Sequence, residues 1–109
     1  MGIKLPAAIA GYFAADRGAD ASAIPDHFTE DAIVKDEGRT YAGREAIRRW
    51  KIESSAKYTY TAEPFAIADE AGRTVVTARL TGDFPGSPVD LRYRFALQGK
   101  QIAGLEIVP

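Results

Sequence analysis

Two residues of this chain have the type and setting for acid–base chemistry, Asp36 and Tyr12, and a third acid, Glu106, stands near the end. Asp36 closes the run Ala32 to Asp36. Strand alternation there puts Ala32, Val34 and Asp36 on one face and Ile33 and Lys35 on the other. A carboxylate that shares a face with Val34 sits beside an apolar wall. Desolvation would raise its pKa toward the range of a working general base. The other reading is a turn carboxylate that accepts backbone N–H groups near Gly38. Glu37 is expected to point to solvent. Tyr12 shares a helical stripe with Leu5, Ile9, Phe13 and Asp16, so its ring is expected to be buried. A buried phenol needs a partner, either a developing oxyanion or a backbone carbonyl.

The elements that would position these groups can be read from periodicity. The stripe from Leu5 to Asp16 predicts a first helix, with Pro6 in its first turn and Gly18 as its stop. Asp20 is placed to cap a short second helix running to about Phe28, bent at Pro25. "DAIVKD" reads as a strand. "GREAIRRWKIESS" reads as a third helix, with Ala46, Ile47, Trp50 and Ser54 inward. Four strands follow: "YTYTAEPFAIAD", "RTVVTARLTGD", "VDLRYRFALQ" and "KQIAGLEIV". The breaks "DEAG", "FPGSP" and "QGK" are hairpin signals, so these strands are expected to be antiparallel neighbours. Pro64 marks a bulge or an edge. Three helices followed by a meander make an α+β fold. A sheet of about five strands is roughly 24 Å wide at normal spacing. If it is strongly curved, a cavity remains between the sheet and the helices.

Composition narrows the function. The chain has 109 residues, an expected single domain over 1–109. It has no cysteine, which excludes disulfides, thiol catalysis and cysteine-based zinc sites and fits a reducing cytoplasm. Fourteen Lys plus Arg against fifteen Asp plus Glu give a net charge of −1, no electrostatic basis for nucleic-acid binding. The segment "LPAAIAGYFAA" has the texture of a signal-peptide core, but Tyr12 and Asp16 fall where an amphipathic helix requires them. No apolar run spans a bilayer. His27, the single histidine, has no companion set for a metal site. No Ser–His–Asp set, phosphate loop or dinucleotide fingerprint is present, so chemistry must rest on carboxylates, tyrosines and desolvation, with no cofactor.

The run "YFAADRGADASAIPDHFTEDAIVKD", followed by "GRTYAGREAIRRW" and four strands, resembles the nuclear transport factor 2-like superfamily, in its SnoaL-like polyketide cyclase and ketosteroid isomerase branch. The likeness covers essentially the whole chain. It implies a cone of curved, mixed sheet covered by three helices, a cystatin-like roll that encloses an apolar pocket. By the resemblance Tyr12 takes the oxyanion-donor position and Asp36 the general-base position. Leu91 stands where the isomerases keep a protonated aspartate, and Lys51 where they keep a tyrosine. Losing one oxyanion donor typically costs about 10² to 10³ in rate.

By the family register, the face shared by Ile102, Gly104, Glu106 and Val108 lines the pocket. Glu106 would then be a second pocket acid, with Gly104 leaving room. The other reading is a salt bridge on the outer sheet face with Arg92 or Arg94. Val34, Trp50, Tyr60, Leu91, Tyr93 and Gly104 are the expected walls for a ligand. His27 stands either at the pocket mouth or on the surface at a helix end. Arg79 entering the pocket would resemble an epoxide hydrolase. The implied ligand is a small apolar molecule of steroid, polyketide or terpenoid kind, handled by isomerase or cyclase chemistry next to a carbonyl or bound without catalysis. The implied partner is a second copy of the chain on the outer sheet face, with neither nucleic acid nor membrane.

Overall fold

The computed structural model describes residues 3–17, 23–57 and 59–109, and Gly18, Asp20 and Tyr58 lie outside them. Helix α1, Ala7–Arg17, forms where the stripe predicts it. It buries Ile9, Tyr12 and Phe13 almost completely. The expected second helix is represented among the described residues by a single 3-10 turn, Ile24–His27, with Pro25 in its first positions. An α-helix begun at Asp20 would need the N–H that Pro25 lacks; at the start of a turn that N–H has no helical partner to meet, and the chain extends at Phe28.

Strand β1 runs Phe28–Asp36, three residues longer at its start than "DAIVKD" suggests. A strand that periodicity did not reveal follows, β2, Arg39–Ala42. The two are joined by a hairpin whose central residues, Glu37 and Gly38, both have positive φ (52° and 76°). That pair of left-handed residues makes a turn whose twist matches the flanking strands. Gly43, at φ 88°, turns the chain into α2, Arg44–Lys57. Its carbonyl accepts the N–H of Ile47, and its own N–H donates to Ala32. Helix α2 is therefore stitched to β1 at its first turn.

The rest is the antiparallel meander that the turn signals imply: β3 Tyr60–Glu70, β4 Arg73–Gly82, β5 Val89–Gln98 and β6 Gln101–Val108. The six strands form one sheet in the order β2-β1-β6-β5-β4-β3. Among the described residues only the β1–β6 pairing is parallel, so the sheet is mixed. The two α-helices pack on one face, and the fold is α+β. The core between the layers contains Ile9, Tyr12, Phe28, Val34, Ile47, Val76, Phe95 and Ile102, each essentially inaccessible. Strand β3 is an edge strand whose register shifts between Pro64 and Ala66, so Pro64 marks both an edge and a bulge.

A second shift decides where side chains point. Between β5 and β6, Ala96 pairs with Gly104 and Leu97 with Ile102, leaving Ala103 unpaired. One extra residue reverses the alternation beyond it. Ile102 points into the core, but past the bulge Leu105 and Ile107 take the inner face, and Gly104 and Glu106 the outer. None of the described helices is long and apolar enough to cross a membrane.

Candidate active site

A pocket of about 430 Å³ opens between the inner sheet face, α2 and the β4–β5 loop. Its apolar wall is Leu80, Phe84, Pro85, Val89, Leu91 and Ile107. Its polar groups come from the end of β1 (Asp36, Glu37), from α2 (Trp50, Lys51, Ser54), and from Tyr60 and Tyr93. The positions Ile47, Trp50, Lys51 and Ser54 follow the i, i+3, i+4, i+7 spacing of one helix face.

Asp36 is the last residue of β1, where alternation turns it to the helices' side. Its Oδ2 accepts the Trp50 indole N–H at 3.0 Å. No salt bridge reaches it among the described residues. Burial pushes its pKa up from the ordinary aspartate value, and the nearby charge of Glu37 adds to the rise. The hydrogen bond from Trp50, the charge of Lys51 and the backbone at Glu37 pull the other way without cancelling it. The carboxylate is thus held by the indole and by the backbone N–H of Glu37, and left more basic than a surface aspartate.

Beside it lies a second polar group, at the position where the resemblance places a tyrosine, that was not among the expected site residues. Lys51 is only 4% exposed. Its ammonium stands 2.6 Å from Oδ1 of Asp16 on α1 and donates to the Tyr60 hydroxyl at 2.9 Å. Tyr60 in turn donates to Asp16 at 3.2 Å. Burial alone would lower the pKa of Lys51; the oxygens of Tyr60 and Asp16 more than offset it, so the amine stays charged. The ammonium also lies 4.9 Å from the Trp50 ring centre and 5.7 Å from that of Tyr12. A signal was available: Asp16 falls on the apolar stripe of α1, and Lys51 directly follows inward Trp50. A buried charge on each of two packed helices calls for a partner.

Of the residues singled out from the sequence, Asp36, Trp50, Tyr60, Leu91 and Tyr93 come together in this pocket. Tyr12 is 1% exposed, as its stripe predicts, but it is enclosed by Phe13, Phe28, Phe95 and Tyr93 and is not part of the pocket wall. Its hydroxyl has no hydrogen-bond partner among the described residues. Desolvation raises its pKa well above the ordinary phenol value. Val34 belongs to the core beneath. His27 packs its ring against Gly11 of α1, where a Cβ would come within 2.5 Å of it, so it is absent from the pocket mouth.

Two expectations are corrected, for Glu106 and Gly104, and the alternative that placed Arg79 in the pocket is not met. Glu106 is not a pocket acid: it lies on the outer sheet face between Arg73 and Arg94, at 3.4 and 3.3 Å. Gly104 is on that face too, beside Ile33 and Ala96. The bulge at Ala103 accounts for both, because parity counted from Ile102 fails one residue later. Arg79 does not enter the pocket. It pairs with Asp90 at 2.9 Å, 59% exposed, with its guanidinium over Phe65. The cation needed for epoxide-hydrolase chemistry is therefore missing at that position. Among the described residues no group of three or more acidic or histidine side chains could hold a metal.

Comparison with known proteins agrees with this architecture. A candidate polyketide cyclase from Sinorhizobium meliloti is 40% identical, superposes with a TM-score of 0.89, and matches over 94% of each chain. A protein of ketosteroid isomerase-like fold from Catenulispora acidiphila, crystallised with trimethylamine, has a TM-score of 0.85 at 20% identity, over 97% of this chain and 87% of the other. A nuclear transport factor 2-like protein of unknown function from Cytophaga hutchinsonii has a TM-score of 0.73 at 11% identity, over 98% and 92%. No family model matches the sequence, and no curated protein sequence does. The chain belongs to the nuclear transport factor 2-like superfamily, in the branch of SnoaL-like polyketide cyclases and ketosteroid isomerase-like proteins.

Proposed function

We propose that this protein binds a small apolar carbonyl compound in the pocket and moves a proton next to the carbonyl, with Asp36 as the base. The observation that carries the reading is the state of Asp36: in the pocket wall, partly desolvated, held by an indole N–H and left without a cation in contact among the described residues. Groups tuned this way cluster at sites of acid–base catalysis. The apolar remainder of the wall suits a ligand of polyketide, steroid or terpenoid kind, and the candidate polyketide cyclase to which the chain is 40% identical points the same way. In this reading Asp36 removes a proton α to the carbonyl and returns it to the same or a conjugated carbon. Isomerisation then needs no metal or organic cofactor; in ring closure the enolate carbon instead bonds a second carbonyl carbon of the ligand, whose π pair moves onto its oxygen, and that oxygen takes the proton from Asp36.

The test does not require the natural substrate. A panel of small cyclic ketones is incubated with the protein in heavy water, and loss of the α-proton signals is followed by NMR. The wild type is expected to accelerate exchange for ketones that fit, and Asp36→Asn to lose about 10²-fold or more of that acceleration. Equal exchange by the two proteins would remove Asp36 from the mechanism.

A second reading is ligand binding without turnover. Leu91 in the wall favours it, because an apolar group stands where the resemblance places a proton-donating acid. Saturable quenching of Trp50 by the ketones without exchange would select it. A homodimer through the outer sheet face belongs to either reading. It is supported by Ile33 and Phe65 on that face, 43% and 48% exposed, and is tested by sedimentation.

A further inference from the structure

The pocket contains a fixed positive charge to which the reading above gives no task. Lys51 lies in the wall, and its ammonium is anchored from behind by Asp16 on α1 and Tyr60 on β3. An ammonium has three N–H donors. Asp16 and Tyr60 account for two of them, and no third acceptor is present among the described residues. The anchoring groups come from two other elements, so the amine is held without the freedom of a surface lysine. Desolvating it is costly, and a purely structural pair of this kind is often no better than apolar residues of equal volume. Asp36 and Lys51 also share one indole: Asp36 accepts its N–H at 3.0 Å, and Lys51 stands 4.9 Å from its ring centre. A ligand lying against Trp50 would have a base at one end and a cation near its face.

We propose that Lys51 is the oxyanion-binding group of this pocket, and that it selects enolisable ketones and acidic enols or phenols over apolar molecules that lack such an oxygen. The inference rests on the reading of the pocket as a carbonyl-binding site and adds its second half. When Asp36 takes the α-proton, the C–H electron pair enters the new C–C double bond and the carbonyl π pair moves onto oxygen. The third N–H of Lys51 donates to that oxygen as its charge grows. On reversal Asp36 returns the proton, so atoms and charge balance without a further reactant. The task that the resemblance assigns to Tyr12, now enclosed in the core, falls to an amine delivered by the neighbouring helix. A hydrogen bond from a charged donor to an anionic oxygen is stronger than a neutral one and makes the oxyanion the preferred bound form.

The test uses 4-nitrophenol, whose ionised form is read from its visible absorption, and the Asp36→Asn protein, in which the carboxylate cannot repel an anion. Binding is followed by quenching of Trp50, the only tryptophan of the chain. The bound dye is expected to ionise at lower pH than free dye, a preference for phenolate of about tenfold or more. In Asp16→Asn/Lys51→Met/Asp36→Asn, which removes both charges of the buried pair, that preference disappears. A second measurement leaves the pair intact: the Lys51 side-chain NMR signal of Asp36→Asn shifts with 4-nitrophenolate and not with nitrobenzene. Absence of a phenolate preference in Asp36→Asn, its survival in the triple variant, or an unmoved Lys51 signal would each overturn the proposal. These readouts involve no turnover and a protein without the base, so they stand or fall separately from proton abstraction by Asp36.

Discussion

The two faces of the sheet treat a carboxylate in opposite ways. On the outer face Glu106 sits between Arg73 and Arg94, one-third exposed, with its charge answered twice. On the inner face Asp36 has an indole N–H and, among the described residues, no cation in contact, and its pKa is raised. The two residues are near neighbours in the fold, because Asp36 pairs with Ile107 across the parallel β1–β6 ladder. Position in the sheet therefore does not separate them; which side of the pleat each faces does. A carboxylate neutralised by arginines in water is structural, whereas one turned toward apolar side chains keeps an unmet affinity for a proton. The inner face does contain a cation, but Lys51 is committed to Asp16 rather than to Asp36.

The contrast can be sharpened by substitution. Lys51→Met leaves the Asp16 charge buried with only the Tyr60 hydroxyl to meet it among the described residues, since the two side chains of the pair are each 5% exposed. A loss of about 3–5 kcal/mol is expected in urea unfolding. A loss below 1 kcal/mol would mean that water reaches Asp16. Tyr12→Phe removes a buried hydroxyl that has no hydrogen-bond partner among the described residues, and stability is expected to rise by about 1 kcal/mol. A fall on thermal or urea unfolding would show that the hydroxyl is satisfied in solution. Glu106→Gln touches only partly exposed ion pairs and is expected to cost under about 1 kcal/mol and leave ketone exchange unchanged. A drop in exchange would put Glu106 back among the working residues.

Much of this architecture was legible in the sequence because its signals are local. The stripe from Leu5 to Asp16 gave α1, Ile47, Trp50 and Ser54 gave the inner face of α2, and the turn residues gave the meander. Alternation from Ala32 to Asp36 was enough to turn Asp36 inward. What escaped depended on backbone geometry that composition does not encode. Strand β2 exists because a glutamate, Glu37, adopts a left-handed conformation next to Gly38. The unpaired Ala103 reversed the facing of Gly104 and Glu106; the glycine inside "IAGLEIV" is a bulge signal that counting parity from Ile102 passes over. The β4–β5 loop read only as a break, yet Phe84 and Pro85 form part of the pocket wall. The Asp16–Lys51–Tyr60 group joins three elements that periodicity treats one at a time.

The central claim is that Asp36 is held in the pocket as an unneutralised base. Its folded-state pKa is raised, so the native protein retains this proton to higher pH than the unfolded chain. Stability should therefore fall as pH rises from the ordinary aspartate value to the raised folded value, then level off, and Asp36→Asn should abolish that fall. The direct measurement is a carbon-13 NMR titration of the Asp36 carboxyl in the folded protein. The account predicts a midpoint above the ordinary aspartate value. A midpoint at or below that value would mean a solvated or neutralised carboxylate and would contradict it.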